Sequence, residues 1–304
     1  KLDGIVRLFP DNEALIVHHQ NIRLTYSQLQ EQVNECAKAL LTIGINIGDR
    51  VGIWSSNRFE WTVLQFATAK VGAILVNINP SYRIHELEYA LKQSACTMIV
   101  IADKFKTSDY HKMLLELVPE LANTDNGSLK ASKFPALTTV VSLSESPQDG
   151  MLSWTALMHK SKSCSTVTLE KRQKELDFDD PVNIQYTSGT TGFPKGATLS
   201  HHNILNNAYF VAKTMKYTDK DRVIIPVPLY HCFGMVLGNL GCMTHGATMI
   251  YPSQGYEPLA VLQAVEKEKA TALYGVPTMF IAILEHPEFN NFDLSSLRTG
   301  IMAG

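Results

Sequence analysis

Cysteine is scarce in this sequence, and its placement is the first constraint. Five cysteines (Cys36, Cys96, Cys164, Cys232 and Cys242) lie scattered through 304 residues. An odd, unclustered set does not build a disulfide frame, and the absence of CxxC or HxxxH spacing removes the usual zinc sites. The pattern suits a reducing compartment, and the expectation is a cytoplasmic protein, with the mitochondrial matrix as the alternative. Charge of one sign is also lacking: 27 Lys and Arg stand against 29 Asp and Glu, a net charge of -2. No basic stripe invites nucleic acid. No apolar run approaches the ~20 residues of a membrane span; the longest are broken by Asn, Gly or His. The opening Lys1-Leu2-Asp3-Gly4 is neither a secretory signal nor an Arg-rich transit peptide. Repeats and low-complexity tracts are absent too.

What is present reads as an ordinary globular α/β chain, 45% apolar and 18% charged, with room for two subdomains. Strand and helix signals alternate. Strands are expected at Ala14–Val17, Val51–Trp54, Ala73–Asn77, Thr97–Ile101 and Thr138–Leu143. Helices are expected from Thr25 to a stop at Gly44, from Phe59 to Val71 as a second amphipathic helix, and from Arg83 to Lys92. Residues 122–136 turn small and polar, a loop, and 161–180 are charged and weakly patterned, a surface crossing. A second series follows: a helix from Ser200, strand Val223–Ile225, a Gly-rich apolar helix from Phe233, strand Thr248–Tyr251, helix Pro258–Lys267, strand Ala272–Tyr274 and helix Pro277–Leu284. This order predicts parallel sheets with helices on both faces. The expected subdomains are 1–180 and 181–304.

The most informative segment is Tyr186-Thr187-Ser188-Gly189-Thr190-Thr191-Gly192-Phe193-Pro194-Lys195-Gly196. It places Thr and Ser hydroxyls, glycines and a lysine directly after the strand-like Val182-Asn183-Ile184-Gln185. Glycine admits close backbone approach, successive N–H groups form an anion-binding concavity, and lysine adds a mobile positive charge. That set suits a polyphosphate. The spacing is not that of the Walker loop, Gly-x4-Gly-Lys-Ser/Thr, and Pro194 disfavours an immediate helix. The prediction is strand, loop, then a second strand at Gly196–Leu199. A surface turn that binds nothing is the competing reading of such a composition.

The eleven-residue string resembles the signature of the AMP-forming, adenylate-forming enzymes. Other blocks match in the same order: Leu24-Thr25-Tyr26-Ser27-Gln28-Leu29, Ala69-Lys70-Val71-Gly72-Ala73 with Val76-Asn77-Ile78-Asn79-Pro80, Gly196 through His201-His202-Asn203, and Pro228-Leu229-Tyr230-His231-Cys232-Phe233-Gly234. Their details most resemble medium- to long-chain fatty acyl-CoA ligases. The resemblance implies a luciferase-like fold: two stacked α/β subdomains, a small β-barrel left incomplete, and a C-terminal lid domain absent. Both the abrupt start and the ending Arg298-Thr299-Gly300-Ile301-Met302-Ala303-Gly304 suggest an N-terminal fragment, poorly active alone, that lacks the family's YGxTE block.

The resemblance also implies the chemistry. ATP and a carboxylic acid give an acyl-adenylate and pyrophosphate, and coenzyme A then takes the acyl group, with Mg2+ accompanying ATP. Lys195 and His231 become the catalytic candidates. Thr187, Ser188, Gly189, Thr190, Thr191, Gly192, Phe193, Pro194 and Lys195 would bind phosphate. His231, Phe233, Gly234, Met235, Val276, Pro277 and Thr278 would line the substrate pocket, and Ala303 and Gly304 would begin the adenine side. For His231 the alternative is a structural loop histidine. For Gly234, Gly238 and Gly241 it is close helix packing rather than room for an acyl chain. His201-His202 suggests a metal only superficially, and no metal ligand set is expected here. The expected partners are small molecules, with no nucleic acid and no integral membrane segment, and homo-oligomerisation left open. An aryl- or other carboxylic-acid adenylating enzyme, or an inactive binding fragment, remains the alternative.

Overall fold

The computed structural model describes residues 1–124, 129–147, 149–187 and 194–304. Its elements form two compact units that interleave in sequence. One comprises Lys1–Glu31, Asn57–Thr62 and Asn203–Gly304, and the other Gln32–Ser56 and Val63–His202.

In the second unit a seven-stranded sheet runs Lys195–Ser200, Pro181–Thr187, Ile74–Ile78, Arg50–Trp54, Met98–Ile101, Thr139–Ser142, Leu152–Ser153. Every pairing is parallel except the hairpin of Pro181–Thr187 with Lys195–Ser200. All residues of Ile74–Ile78 and Met98–Ile101 are buried, as central parallel strands covered on both faces require. One core gathers Val76, Ile78, Leu87, Leu91, Ile99, Ile101, Leu114 and Phe134. Within it the Trp54 and Tyr110 rings stack at 3.6 Å and 12°. Trp54 Nε1 donates to the Asn79 carbonyl at 3.1 Å, and Tyr110 Oη donates to the Pro80 carbonyl at 2.5 Å. The two aromatics therefore fix the chain where it leaves the Ile74–Ile78 strand.

In the first unit a six-stranded sheet runs Thr299–Met302, Ala272–Gly275, Arg222–Ile224, Thr248–Tyr251, Glu13–Val17, Ile22–Thr25, parallel except for the last pair. Its core includes Ile16, Ile224, Ile250, Val261, Leu262, Val265, Leu273 and Ile283. Among the described residues the sheets stay open, and no helix is long and apolar enough to cross a membrane.

Most expected elements are present, some shifted by a residue. The helix Tyr26–Thr42 starts where a hydroxyl and an amide side chain cap it. Thr25 Oγ1 accepts from the Gln28 N–H at 3.2 Å, and Gln28 Oε1 accepts from the Thr25 N–H at 2.9 Å, a reciprocal capping box. Gly44, at φ +89°, ends it. Three readings need correction. The helix Phe59–Val71 is not amphipathic: Thr62 and Thr68 are as fully buried as Trp61, Leu64 and Ala67. Its two buried threonines find internal partners, Thr68 Oγ1 donating to the Leu64 carbonyl at 2.9 Å and Thr62 Oγ1 lying 2.7 Å from Tyr251 Oη. Residues 161–180 contain a helix, Thr166–Lys174, because the Ser165 hydroxyl accepts from the Thr168 N–H and caps it. The helix from Phe233 is π-helical through Leu240 before Gly241–His245 continues as α-helix. Helices Leu2–Leu8, Tyr110–Leu117 and Trp154–His159 were not anticipated.

Candidate active site

Ligands of open parallel sheets gather at the carboxyl ends of the strands, and each unit offers such an edge. In the second unit, Pro181–Thr187 pairs antiparallel with Lys195–Ser200, bringing Thr187 opposite Lys195. The Thr187 hydroxyl donates to the Lys195 carbonyl at 3.4 Å. Both residues are exposed at the open end of the hairpin, with Pro194 half-buried beside them. Ser188, Gly189, Thr190, Thr191, Gly192 and Phe193 lie outside the described residues. The other strand is anchored at its centre: Asn183 Nδ2 donates to the Leu75 carbonyl at 2.8 Å and to Asn77 Oδ1 at 2.9 Å. At the far end of the hairpin the His201 N–H reaches the Asp180 carbonyl at 3.3 Å. Burial holds the His201 ring below the usual histidine range, against the pull of Asp180. Its place is therefore at the hairpin's base.

In the first unit the strands Thr248–Tyr251, Arg222–Ile224, Ala272–Gly275 and Thr299–Met302 are parallel neighbours in that order. His231, Val276 and Ala303 all follow the carboxyl ends of this set. Val276 and Gly304 meet: a Cβ on Gly304 would lie 2.8 Å from Val276 Cγ1, and the Ala303 N–H donates to the Gly275 carbonyl at 3.2 Å. Val276 is half-buried, while Pro277 and Thr278 are exposed at the start of helix Pro277–Leu284. His231 is exposed. Its Nδ1 accepts from the Phe233 N–H at 3.2 Å, which leaves the proton of the neutral ring on Nε2, available to a ligand. Phe233 and Met235 are buried, Phe233 stacking on Tyr274 at 5.5 Å. Gly234 and Gly238 of this helix are closely packed, whereas a Cβ at Gly241 would meet Ala212 only at 3.8 Å. A Cβ at Gly234 would meet the Pro228 carbonyl oxygen at 2.4 Å, and one at Gly238 would meet Ile225 at 3.0 Å.

The family model for AMP-binding enzymes matches residues 3–304. The chain belongs to the AMP-binding enzyme family. Among relatives, the chain is 46% identical over 305 residues to the zebrafish (Danio rerio) protein named medium-chain acyl-CoA ligase ACSF2, mitochondrial, covering 100% of this chain and 50% of the relative. It is 42% identical over 308 residues to the human protein of that name, again covering 50% of it. YngI of Bacillus subtilis is 48% identical, with 55% of its length covered. The chain thus spans about half the length of the curated relatives it matches. Among solved structures, the N-terminal domain of FACL13 from Mycobacterium tuberculosis superposes with a TM-score of 0.80 at 23% identity, covering 100% of this chain and 68% of that one. The anthranilate CoA ligase AuaEII superposes with 0.81 at 24%, covering 100% and 54%. At these identities the structures establish the fold alone: the chain has the α/β architecture of the FACL13 N-terminal domain.

Two features of this family member were not visible in its sequence. Asn57, 3% exposed, donates from Nδ2 to the Val227 carbonyl at 2.9 Å and accepts at Oδ1 from the Leu229 N–H at 2.8 Å. A buried chain of hydroxyls also runs from Thr62 Oγ1 to Tyr251 Oη at 2.7 Å and on to Asn239 Oδ1 at 2.6 Å. Sequence signals for either were slight: an Asn before a helix reads as a cap, and a Tyr in an apolar strand reads as core. Among the described residues, no group of three or more His, Cys, Asp or Glu side chains is placed to hold a metal ion.

Proposed function

We propose that this chain carries the ATP- and acid-binding part of a fatty acid–CoA ligase acting on medium- to long-chain acids. The observation that supports it most is the hairpin whose open end sets exposed Thr187 opposite exposed Lys195, flanking the Ser/Gly/Thr stretch. The medium-chain acyl-CoA ligase names of relatives that align with the whole chain support a fatty-acid substrate class.

In the first half-reaction a carboxylate oxygen of the acid attacks the α-phosphorus of ATP. The bond from that phosphorus to its bridging oxygen breaks, and pyrophosphate leaves with the electron pair. In the second, the sulfur of coenzyme A attacks the acyl carbon and AMP departs. Magnesium enters as part of the ATP substrate; the described residues offer it no carboxylate cluster, and no step is assigned to it. The ammonium of Lys195 would follow the charge developing on pyrophosphate, and the Thr187 hydroxyl would exchange its long bond to the Lys195 carbonyl for one to a phosphate oxygen. Charge-assisted hydrogen bonds of this kind contribute about 1.5–3 kcal/mol each, and aimed at developing charge they lower the barrier. His231 would present Nε2–H beside the acyl-adenylate, with Phe233 and Met235 behind it. Val276 would border the acid, next to the adenine side begun by Ala303 and Gly304. The proposed compartment is the cytoplasm, and the mitochondrial names of the ACSF2 relatives support the matrix as the alternative.

The test is pyrophosphate release from ATP and Mg2+ over acetate to palmitate plus benzoate. A maximum at octanoate or longer is expected. A maximum at benzoate would replace the fatty-acid reading with an aryl-acid one; no release with any acid would support the fragment reading and move the same panel to the full-length protein, where continued silence would leave a binding module.

A further inference from the structure

We infer that Asn57 is the positioning residue for the His231 segment, and that through it Asn57 sets the fit of the carboxylic-acid substrate. The inference rests on the ligase reading above and names a residue outside every sequence block that supports it.

The segment needs such a residue. Regular sheet pairing ends with strand Arg222–Ile224, and the last bond of that edge is from the Ile225 N–H to the Ile250 carbonyl at 2.9 Å. Beyond it Pro226 and Pro228 have no N–H to donate, so the path to His231 must be held by other partners. Asn57 supplies them on both sides of Pro228, to the Val227 carbonyl and the Leu229 N–H. One partner is an obligate acceptor and the other an obligate donor, which fixes the orientation of the amide. The clamped Pro228 then presents its carbonyl to the His231 N–H at 3.2 Å, and the same oxygen packs against Gly234. Asn57 is itself tied down, its N–H donating to the Gln254 carbonyl at 3.2 Å. A single buried amide thus determines where the turn carrying His231 sits, without touching His231.

Displacing a substrate-contacting turn by about 1 Å changes rates by up to about a hundredfold. In Asn57→Ala, the KM for octanoate is therefore expected to rise about tenfold or more while the KM for ATP stays within about twofold. Asn57→Asp gives the signature that a merely structural role would not. At neutral pH the introduced carboxylate faces the Val227 carbonyl with no proton to donate, and the octanoate KM should match that of Asn57→Ala. At lower pH protonation restores an O–H donor, and the KM should return toward that of the wild type at the same pH. If Asn57→Ala fails to fold, Asn57→Asp carries the kinetic test alone. Amide hydrogen exchange of Leu229–Met235 provides a readout without activity, and Asn57 variants should exchange about tenfold faster there. An unchanged octanoate KM in both variants, or exchange equal to wild type, would overturn the inference. If this chain releases no pyrophosphate with any acid, the kinetic arm moves to the full-length protein; no release there would defeat the ligase reading instead, and the exchange experiment on this chain would still decide whether Asn57 anchors the turn.

Discussion

Gly234 lies directly against the carbonyl of Pro228: a Cβ added to it would sit 2.4 Å from that oxygen. Backbone atoms cannot swing aside as a side-chain tip can, so Gly234→Ala must displace either the π-helix or the turn preceding it. The variant should lose about 1–3 kcal/mol of stability, read as a lower denaturation midpoint. Gly255→Ala, where a Cβ meets nothing within 4 Å, should stay within about 0.5 kcal/mol of wild type. Equal midpoints for the two variants would contradict the packing reading.

Lys195 begins the second hairpin strand with its side chain exposed opposite Thr187. Lys195→Ala should slow adenylation by roughly two orders of magnitude or more without lowering the thermal midpoint. Pyrophosphate release under single-turnover conditions measures it, and an unchanged rate would remove Lys195 from the reaction.

Glu268 joins two guanidinium groups and an imidazole in the first unit: Arg222 at 2.6 Å, Arg23 at 2.7 Å and His18 at 3.0 Å, with its own side chain only 3% exposed. Burial raises its pKa, but the hydrogen bonds from Arg23, His18 and Arg222 outweigh burial and hold the carboxyl below the usual range. Glu268→Ala would leave Arg222 and Arg23 with Glu13 as a remaining carboxylate partner, so the loss is that of charge-assisted hydrogen bonds, about 1–3 kcal/mol. Urea unfolding should show a lower midpoint with the slope unchanged, and Glu268→Gln should fall between.

His19 is pushed down to about 4, by burial first and by Arg58 next, with Glu60 opposing. In the unfolded chain the ring titrates near 6.5, so between those values the unfolded state holds the extra proton. The contribution of His19 to stability is complete above pH 6.5 and is lost as pH falls toward 4, by on the order of 1 kcal/mol per pH unit. Urea midpoints at pH 7 and pH 5 should differ less in His19→Gln than in wild type. Identical differences would show that His19 does not carry the effect.

The sequence by itself determined the alternating α/β class, the strands that end at Thr187 and begin at Lys195, and the blocks that identify the family. These are local properties: hydrophobic period, capping residues such as Thr25, and a glycine-rich string that few other contexts would favour. Periodicity misjudged the helix Phe59–Val71, because it reports side-chain polarity and not whether buried polar groups find internal partners, as Thr62 and Thr68 do. It also missed Thr166–Lys174, whose start depends on one serine cap. Only the tertiary structure decided that Glu13–Val17 pairs with Thr248–Tyr251, that Val276 meets Gly304, and that Asn57 grips Val227 and Leu229 across 170 and 172 residues of sequence. The physical reason is that unpaired backbone groups after a strand's end can be satisfied by any donor or acceptor the fold brings near, and no local pattern records which one arrives.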